Sequence, residues 1–168
     1  MEMKKIKLLA TDQSSSITGV AVFENNELFK YDMIDLHENK NQEERFKKMI
    51  TRIGEYITRE SPDCVVIEDV SLQTNVSTLL LLAQIQGAIL QTCVTLNIPC
   101  YVYKPSFWRK VLNFNQGKGI KRPELKRQAR EYIQNKYGLS LKIDQCEAIC
   151  IGEAFIIENE KLKGKNND

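Results

Sequence analysis

Three short apolar runs in this chain each carry a carboxylate at one end. Asp12 closes Ile6-Lys7-Leu8-Leu9-Ala10-Thr11, Glu68 closes Cys64-Val65-Val66-Ile67, and Asp144 and Glu147 open Ala148-Ile149-Cys150-Ile151. A short continuous apolar run such as residues 64–67 reads as a strand covered on both faces, so the chain must supply helices to each side of a sheet. Strand ends are rigid, and acids placed there can meet in space although they are far apart in the chain. Clustered carboxylates repel one another unless a hard divalent cation such as Mg²⁺ neutralises them. Such a group implies metal-dependent cleavage of a phosphodiester.

The order of elements supports an α/β sheet. Residues 4–12 and 17–23 read as strands joined by the turn Gln13-Ser14-Ser15-Ser16. Asn25-Asn26 is a second turn signal, and Leu28, Tyr31 and Ile34 mark a third strand, so the first half of the sheet is an antiparallel meander. Phe46, Met49, Ile50, Ile53 and Ile57 recur at helical spacing over 41–60, and Ser61-Pro62-Asp63 ends that helix. Strands follow at 64–68 and 99–103, and helices near 104–112, 122–136 and 144–159. The segment 75–96 is the longest helix candidate. Its Leu79-Leu80-Leu81-Leu82 run is apolar around more than one face, which requires either burial on all sides or a partner subunit over one face.

The 168 residues amount to one domain, assigned to 1–159, with a polar, disordered tail from Glu160 to Asp168. No run approaches the roughly 18 uninterrupted apolar residues of a membrane span. The start lacks a signal-peptide pattern, which places the protein in a cytoplasm, that of a bacterial cell or a phage-infected host, with no membrane partner. The five cysteines include no C-x-x-C pair and read as reduced core residues. Cys146 and Cys150 stand one helical turn apart, but the only histidine, His37, lies far off in a polar loop, short of the four ligands a closed zinc site needs.

Charge is unevenly placed. Residues 104–136 carry ten basic side chains against Glu124 and Glu131, a net +8, so the rest of a chain of net charge +2 sums to −6. Arg109, Lys110, Lys118, Lys121, Arg122 and Lys126 are the candidate DNA contacts, capturing the phosphate backbone through counterion release. Taken alone, the stretch would read as a pair of solvated helix faces. Gly117-Lys118-Gly119 lets backbone approach phosphate, and Asn113-Phe114-Asn115-Gln116 offers polar contacts and an aromatic for base stacking. Ser14 to Ser16 either bind a phosphate or simply form the turn.

Each acid has a structural alternative. Asp144-x-x-Glu147 has the spacing of a helix capping box, and the same spacing puts two carboxylates on one helix face. Glu68-Asp69 reads equally as a strand end passing into solvent, and Asp12 as an ordinary turn aspartate. It is their joint occurrence in this order that is specific.

Together the residues resemble a known family. The blocks Asp12–Val22, Val66–Val70, Leu82–Ala88, Lys104–Ser106 and Asp144–Ala148 are similar to the successive blocks of RuvC-type Holliday-junction resolvases, over nearly the whole chain. The resemblance implies a ribonuclease H-like fold: a five-stranded mixed sheet with the second strand antiparallel and helices on both faces. It also implies a homodimer that nicks two opposing strands of a four-way DNA junction, possible branched substrates beyond it, and a metal-binding tetrad of Asp12, Glu68, Asp144 and Glu147. Arg109 and Lys126 match basic residues near the scissile phosphate. Two departures stand out. Glu147 occupies a position where many bacterial members carry Asp, and Asp69-Val70-Ser71-Leu72 lacks the junction-opening aromatic that bacterial members often have after the strand-end glutamate. Both point to a phage-type member.

The expected mechanism is two-metal hydrolysis with two Mg²⁺ ions, or Mn²⁺ in their place, about 4 Å apart, leaving 5′-phosphate and 3′-hydroxyl ends. The natural dimer interface is the helix 75–96. Two other readings remain open. Thr11–Gly19 also looks like the first phosphate loop of actin-like and sugar-kinase ATPases, which close two such lobes over ATP, and a catalytically dead branched-DNA-binding module would keep the basic surface alone.

Overall fold

The computed structural model describes residues 6–72 and 75–165, with side chains described through Glu160. Five strands, β1 (Lys7–Asp12), β2 (Ile17–Glu24), β3 (Glu27–Asp35), β4 (Cys64–Glu68) and β5 (Cys100–Tyr103), form one sheet in the order β3-β2-β1-β4-β5. The first three form the antiparallel meander, with Asn25 and Asn26 both at positive φ (52° and 68°) in the two-residue turn. That geometry matches the right-handed twist of the flanking strands, and Asn tolerates it better than most residues. β1, β4 and β5 run parallel, so each of the two crossovers needs a helix.

Those helices are α1 (Gln42–Glu60) and α2 (Val76–Thr95). Each opens on an asparagine whose side chain accepts a backbone N–H, Asn41 from Glu44 and Asn75 from Thr78. α1 stops where Ser61 turns left-handed, just before Pro62. α3 (Pro105–Val111), α4 (Arg122–Tyr137) and α5 (Ile143–Lys165) follow on the other side of the sheet. The tail expected to be disordered from Glu160 is therefore helical as far as Lys165, and 166–168 lie outside the described residues. Glu158-Asn159-Glu160-Lys161-Leu162-Lys163 is polar but built largely of good helix formers, and polarity alone does not end a helix.

The two-residue period of the strands splits the core into two layers. Leu9, Val65 and Ile67 face α1 and α2, packing on Met49, Ile53, Ile57, Ile85 and Ile89. Leu8, Ala10 and Val66 face the other way, with Trp108, Ala129, Ile133 and the apolar face of α5. Continuous burial on both faces is why residues 64–67 read as an unbroken apolar run. Cys93, Cys146 and Cys150 are buried and Cys64 and Cys100 half-buried, all as free thiols.

α2 is not an all-round core helix. Only Ile85, Ile89 and Cys93 are buried, while Val76, Leu80 and Val94 are 65%, 58% and 74% exposed. α1 and the sheet cover a single stripe of it and leave the remaining apolar surface open. Gln84, Gln86 and Gln91 interrupt the apolar sequence, yet α2 is the one described helix whose length and mean hydropathy would suffice for a membrane span. Its buried stripe ties it to the protein core, each isoleucine contributing roughly 1.5–3 kcal/mol by burial.

Candidate active site

Asp12 and Glu68 are the last residues of two adjacent parallel strands. Leu8 pairs with Cys64 and Thr11 with Ile67, so the next step in register sets Asp12 beside Glu68. Both share the parity of Leu8, Ala10 and Val66, and both side chains therefore emerge on the face covered by α3, α4 and α5. The C-terminal ends of parallel strands are where open α/β sheets form ligand crevices.

α5 delivers the other two acids. Its first turn lies against Gly19, the β2 partner of Asp12: a Cβ on Gly19 would sit 1.9 Å from the Asp144 carbonyl oxygen. Farther along, a Cβ on Gly152 would sit 2.2 Å from the Phe23 ring. Two glycines thus let α5 approach the sheet closely enough to bring Asp144 and Glu147 over its edge. The capping-box reading of Asp144-x-x-Glu147 does not hold, because it is the Gln145 side chain that reaches back to accept the Lys142 N–H.

The four acids line one cleft of about 480 Å³ together with Ser14, Asp69, Leu72, Arg109, Arg122 and Lys126. Burial raises the protonation of three of them, and for Asp12 and Glu68 neighbouring carboxylates add to it. Burial, then Glu147 and Glu68, hold the Asp12 carboxyl well above its usual value, with a hydrogen bond to Glu147 acting the same way. Burial pushes Glu68 up to about 7, with Glu147 adding to it against a hydrogen bond from Trp108 and the charges of Arg109 and Arg122. Asp144 is raised by burial, against the opposing charge of Lys126.

Two contacts were not foreseen in the sequence. Trp108 Nε1 donates to Glu68 Oε2 at 2.7 Å, and Gln13 Nε2 donates to the Glu68 backbone oxygen at 2.6 Å. Beside Trp108, Arg109 lies over the indole, 4.9 Å from its centroid, with Nη2 4.0 Å from Glu147 Oε1. Asp69 accepts from Val70 N and Gln86 Nε2 at 2.9 and 3.3 Å, which ties the segment after β4 to α2.

Among the described residues no three Asp, Glu, His or Cys side chains stand close enough to hold one metal ion without rearrangement. The donor set nevertheless fits a hard divalent cation. It consists of carboxylate oxygens only, on three elements around one cleft, with Asp12 raised first by burial and then by the neighbouring carboxylates whose charge a cation would offset.

Of the six basic candidates, Arg109, Arg122 and Lys126 line the cleft. Lys110, Lys118 and Lys121 are exposed and lie outside its lining. Phe114 is no base-stacking aromatic. It is half-buried against the core, edge-on to Trp108 at 5.7 Å and tilted on Tyr132 at 6.1 Å. The Gln128 side-chain amide accepts the Asn115 backbone N–H and donates to the Asn115 carbonyl, Asn115 Oδ1 accepts from Gly117 N–H, and Gln116 Nε2 donates to the Ser106 carbonyl. Ser14 takes the turn role, its hydroxyl donating to Ile17 O and accepting from the Ser16 and Ile17 N–H groups. His37 is exposed, pairs with Asp35 at 2.5 Å and does not line the cleft.

The family model for crossover junction endodeoxyribonuclease RuvC matches residues 8–130. This chain belongs to the RuvC family. The matched residues include Asp12 and Glu68, while Asp144 and Glu147 lie beyond them and reach the cleft on α5. The crossover junction endodeoxyribonuclease RuvC of Pelodictyon phaeoclathratiforme is 30% identical over 116 residues, 67% of this chain and 59% of that one. A RuvC of Caldicellulosiruptor saccharolyticus is 27% identical over 105 residues, 60% of this chain and 63% of its own. The chain thus spans about three fifths of the length of the curated relatives it matches. Thermus thermophilus RuvC in complex with Holliday junction substrate superposes with a TM-score of 0.69 at 15% identity, over 93% of this chain and 96% of that one. The yeast mitochondrial Holliday junction resolvase Ydc2 does so with 0.63 at 14% identity, over 95% and 81%. The fold is ribonuclease H-like, as the RuvC resemblance implies. Nucleases of the RuvC family are metal-dependent.

Proposed function

We propose that this chain is a crossover junction endodeoxyribonuclease that cuts four-way DNA by paired nicks and also accepts other branched DNA. The observation that carries this reading is the cleft itself: four carboxylates on β1, β4 and α5, walled by Arg109, Arg122 and Lys126. Asp12, Glu68, Asp144 and Glu147 would hold two Mg²⁺ ions, with Mn²⁺ able to substitute, and the bound ions would activate a water for in-line attack and stabilise the leaving 3′ oxygen. The chain's own side chains do the rest. Arg109, Arg122 and Lys126 draw a phosphate to the acids and fix its approach, and Lys110, Lys118 and Lys121 extend the positive surface along the strand.

Paired cuts need two sites, and a two-fold dimer supplies them from one gene. The exposed apolar surface of α2, with Val76, Leu80 and Val94, supports its role as the interface. A cytoplasmic setting, in a bacterial cell or a phage-infected host, belongs to the same reading. Two alternatives lose support. The Ser14 hydroxyl is committed to its own turn rather than offered to a nucleotide, and a binding module without catalysis would have no need of four acids in one cleft.

The test is incubation with labelled four-way, three-way, flap and linear duplex DNA, with Mg²⁺, Mn²⁺ or chelator. Metal-dependent, symmetric nicking of the four-way junction is expected, leaving 5′-phosphate ends. Junction binding without any metal-dependent nicking would overturn the proposal in favour of the binding module.

A further inference from the structure

We infer that Trp108 is the positioning residue of Glu68: its indole N–H holds Oε2, leaving Oε1 as the oxygen with which Glu68 meets a divalent cation. This rests on the metal-site reading above and specifies how one of its ligands is presented.

A buried indole needs an acceptor for its single N–H. Trp108 is fully buried, and the acceptor it uses is Glu68 Oε2 at 2.7 Å. The ring itself is held from several sides. Phe114 meets it edge-on at 75°, Tyr132 of α4 backs Phe114, and the Arg109 guanidinium lies over it. The donor position is therefore set by the packing of α3 against α4 and not by the mobility of a surface side chain. On the Glu68 side, the Gln13 side chain fixes the backbone carbonyl at 2.6 Å. Glu68 is gripped at both its backbone and its carboxylate, whereas a glutamate at a strand end is otherwise free to rotate about every side-chain bond. Supporting contacts of this kind orient metal ligands, and their loss typically weakens metal affinity by 10–100-fold. The same indole supports Arg109 in reach of Glu147, so one side chain acts on Glu68 directly and on Glu147 through Arg109.

Trp108→Phe keeps an aromatic ring at the position and removes the donor, together with the second ring of the indole and its share of the packing. The metal-binding experiment uses protein without DNA, titrated with Mn²⁺ and followed by electron paramagnetic resonance or calorimetry. The expected result is a Kd for Mn²⁺ about ten-fold or more weaker than wild type, with a melting temperature in chelator lowered by the lost packing, an unchanged far-ultraviolet circular dichroism spectrum and unchanged junction binding. In cleavage assays the half-saturating Mg²⁺ concentration rises by a similar factor, while the rate at saturating Mg²⁺ largely recovers. A core-packing role would move neither metal quantity, so an unchanged Mn²⁺ isotherm overturns the inference. A wild type that takes up no Mn²⁺ overturns the metal-site reading beneath it. Trp108 is the only tryptophan in the chain, so wild-type emission gives a second readout should the variant fail to fold. Emission is expected to shift on adding Mg²⁺ and to stop responding in Glu68→Gln, whereas a wild-type emission indifferent to Mg²⁺ counts against the inference.

Discussion

Gly19→Ala is the substitution whose effect follows most directly from geometry. The added Cβ would sit 1.9 Å from the Asp144 carbonyl oxygen and 2.3 Å from its carbonyl carbon, where ordinary contact begins at 3.4 Å. The start of α5 must withdraw by the difference, about 1.5 Å. It cannot do so as a rigid body, because Gly152 seats the same helix on Phe23 and Ile149, Ile151 and Ala154 are fully buried. The first turn therefore tilts or unwinds. Overpacking of this kind costs roughly 1–3 kcal/mol, or roughly 2–12 °C of melting temperature in a domain this size. The displacement also exceeds the ~0.5 Å within which a site must be held, and a misplacement of about 1 Å can cost on the order of 10²-fold in rate. We expect four-way-junction nicking to fall at least that far while junction binding in chelator stays near wild type, since Arg109, Arg122 and Lys126 hang on α3 and α4. Melting is followed by circular dichroism and nicking under single-turnover conditions. Wild-type melting and nicking in Gly19→Ala would refute the claim that this close approach positions Asp144.

Glu68→Gln and Asp144→Asn should each abolish nicking while junction affinity stays within a few-fold of wild type; substantial residual nicking would remove that residue from the site. Glu68 is pushed up to about 7 from an ordinary 4.5, so between these values the folded state binds more protons than the unfolded one, and metal-free stability should fall as pH rises through that window. Melting temperatures in chelator should show this decline, and a wild-type profile as flat as that of Glu68→Gln would contradict it. Lys126→Ala and Lys118→Ala should weaken binding of every DNA sequence alike and each shallow the salt dependence by about one phosphate contact; an unchanged salt slope would make the basic stretch a solvated face. Leu80→Glu, on the exposed side of α2, should give a folded monomer in sedimentation, whereas Ile85→Glu should unfold the domain by burying an unpaired carboxylate. A Leu80→Glu dimer as tight as wild type would move the interface elsewhere.

The strands and the acids at their ends were legible because both depend on local pattern. An apolar run that stops on a carboxylate is visible without knowing its neighbours, and the periods of two and 3.6 are carried by side chains a few residues apart. The contacts that organise the cleft depend instead on which residues face each other across elements. Trp108 in Pro105-Ser106-Phe107-Trp108 has the signature of any core aromatic, and its second task emerges only once α3 is laid beside the end of β4. Phe114 misleads for the converse reason. Among glycines, amides and lysines it resembles an exposed stacking platform, yet the loop folds its ring back onto Trp108 and Tyr132, the Asn115 backbone onto the Gln128 side chain and the Gln116 side chain onto the Ser106 carbonyl.

Gly19 and α2 mark the limits on either side. A glycine inside a strand pattern is a readable signal that another backbone comes close, but the sequence does not say that the visitor is the start of α5, some 125 residues on, at Asp144. In α2 the apolar composition was plain, and burial on all sides followed from it only on the premise that this one chain provides every covering surface. The structure covers a single stripe, Ile85, Ile89 and Cys93, and leaves Val76, Leu80 and Val94 open. That surplus of apolar surface exceeds what folding of one copy requires. It belongs with the need of paired nicking for a second active site, which is why the dimer and the chemistry are best tested on the same Leu80→Glu protein. If the monomer it yields nicks one strand at a time at an undiminished rate per site, α2 couples the two cuts; if each site also slows, α2 helps to build the cleft that Leu82 reaches from the same helix.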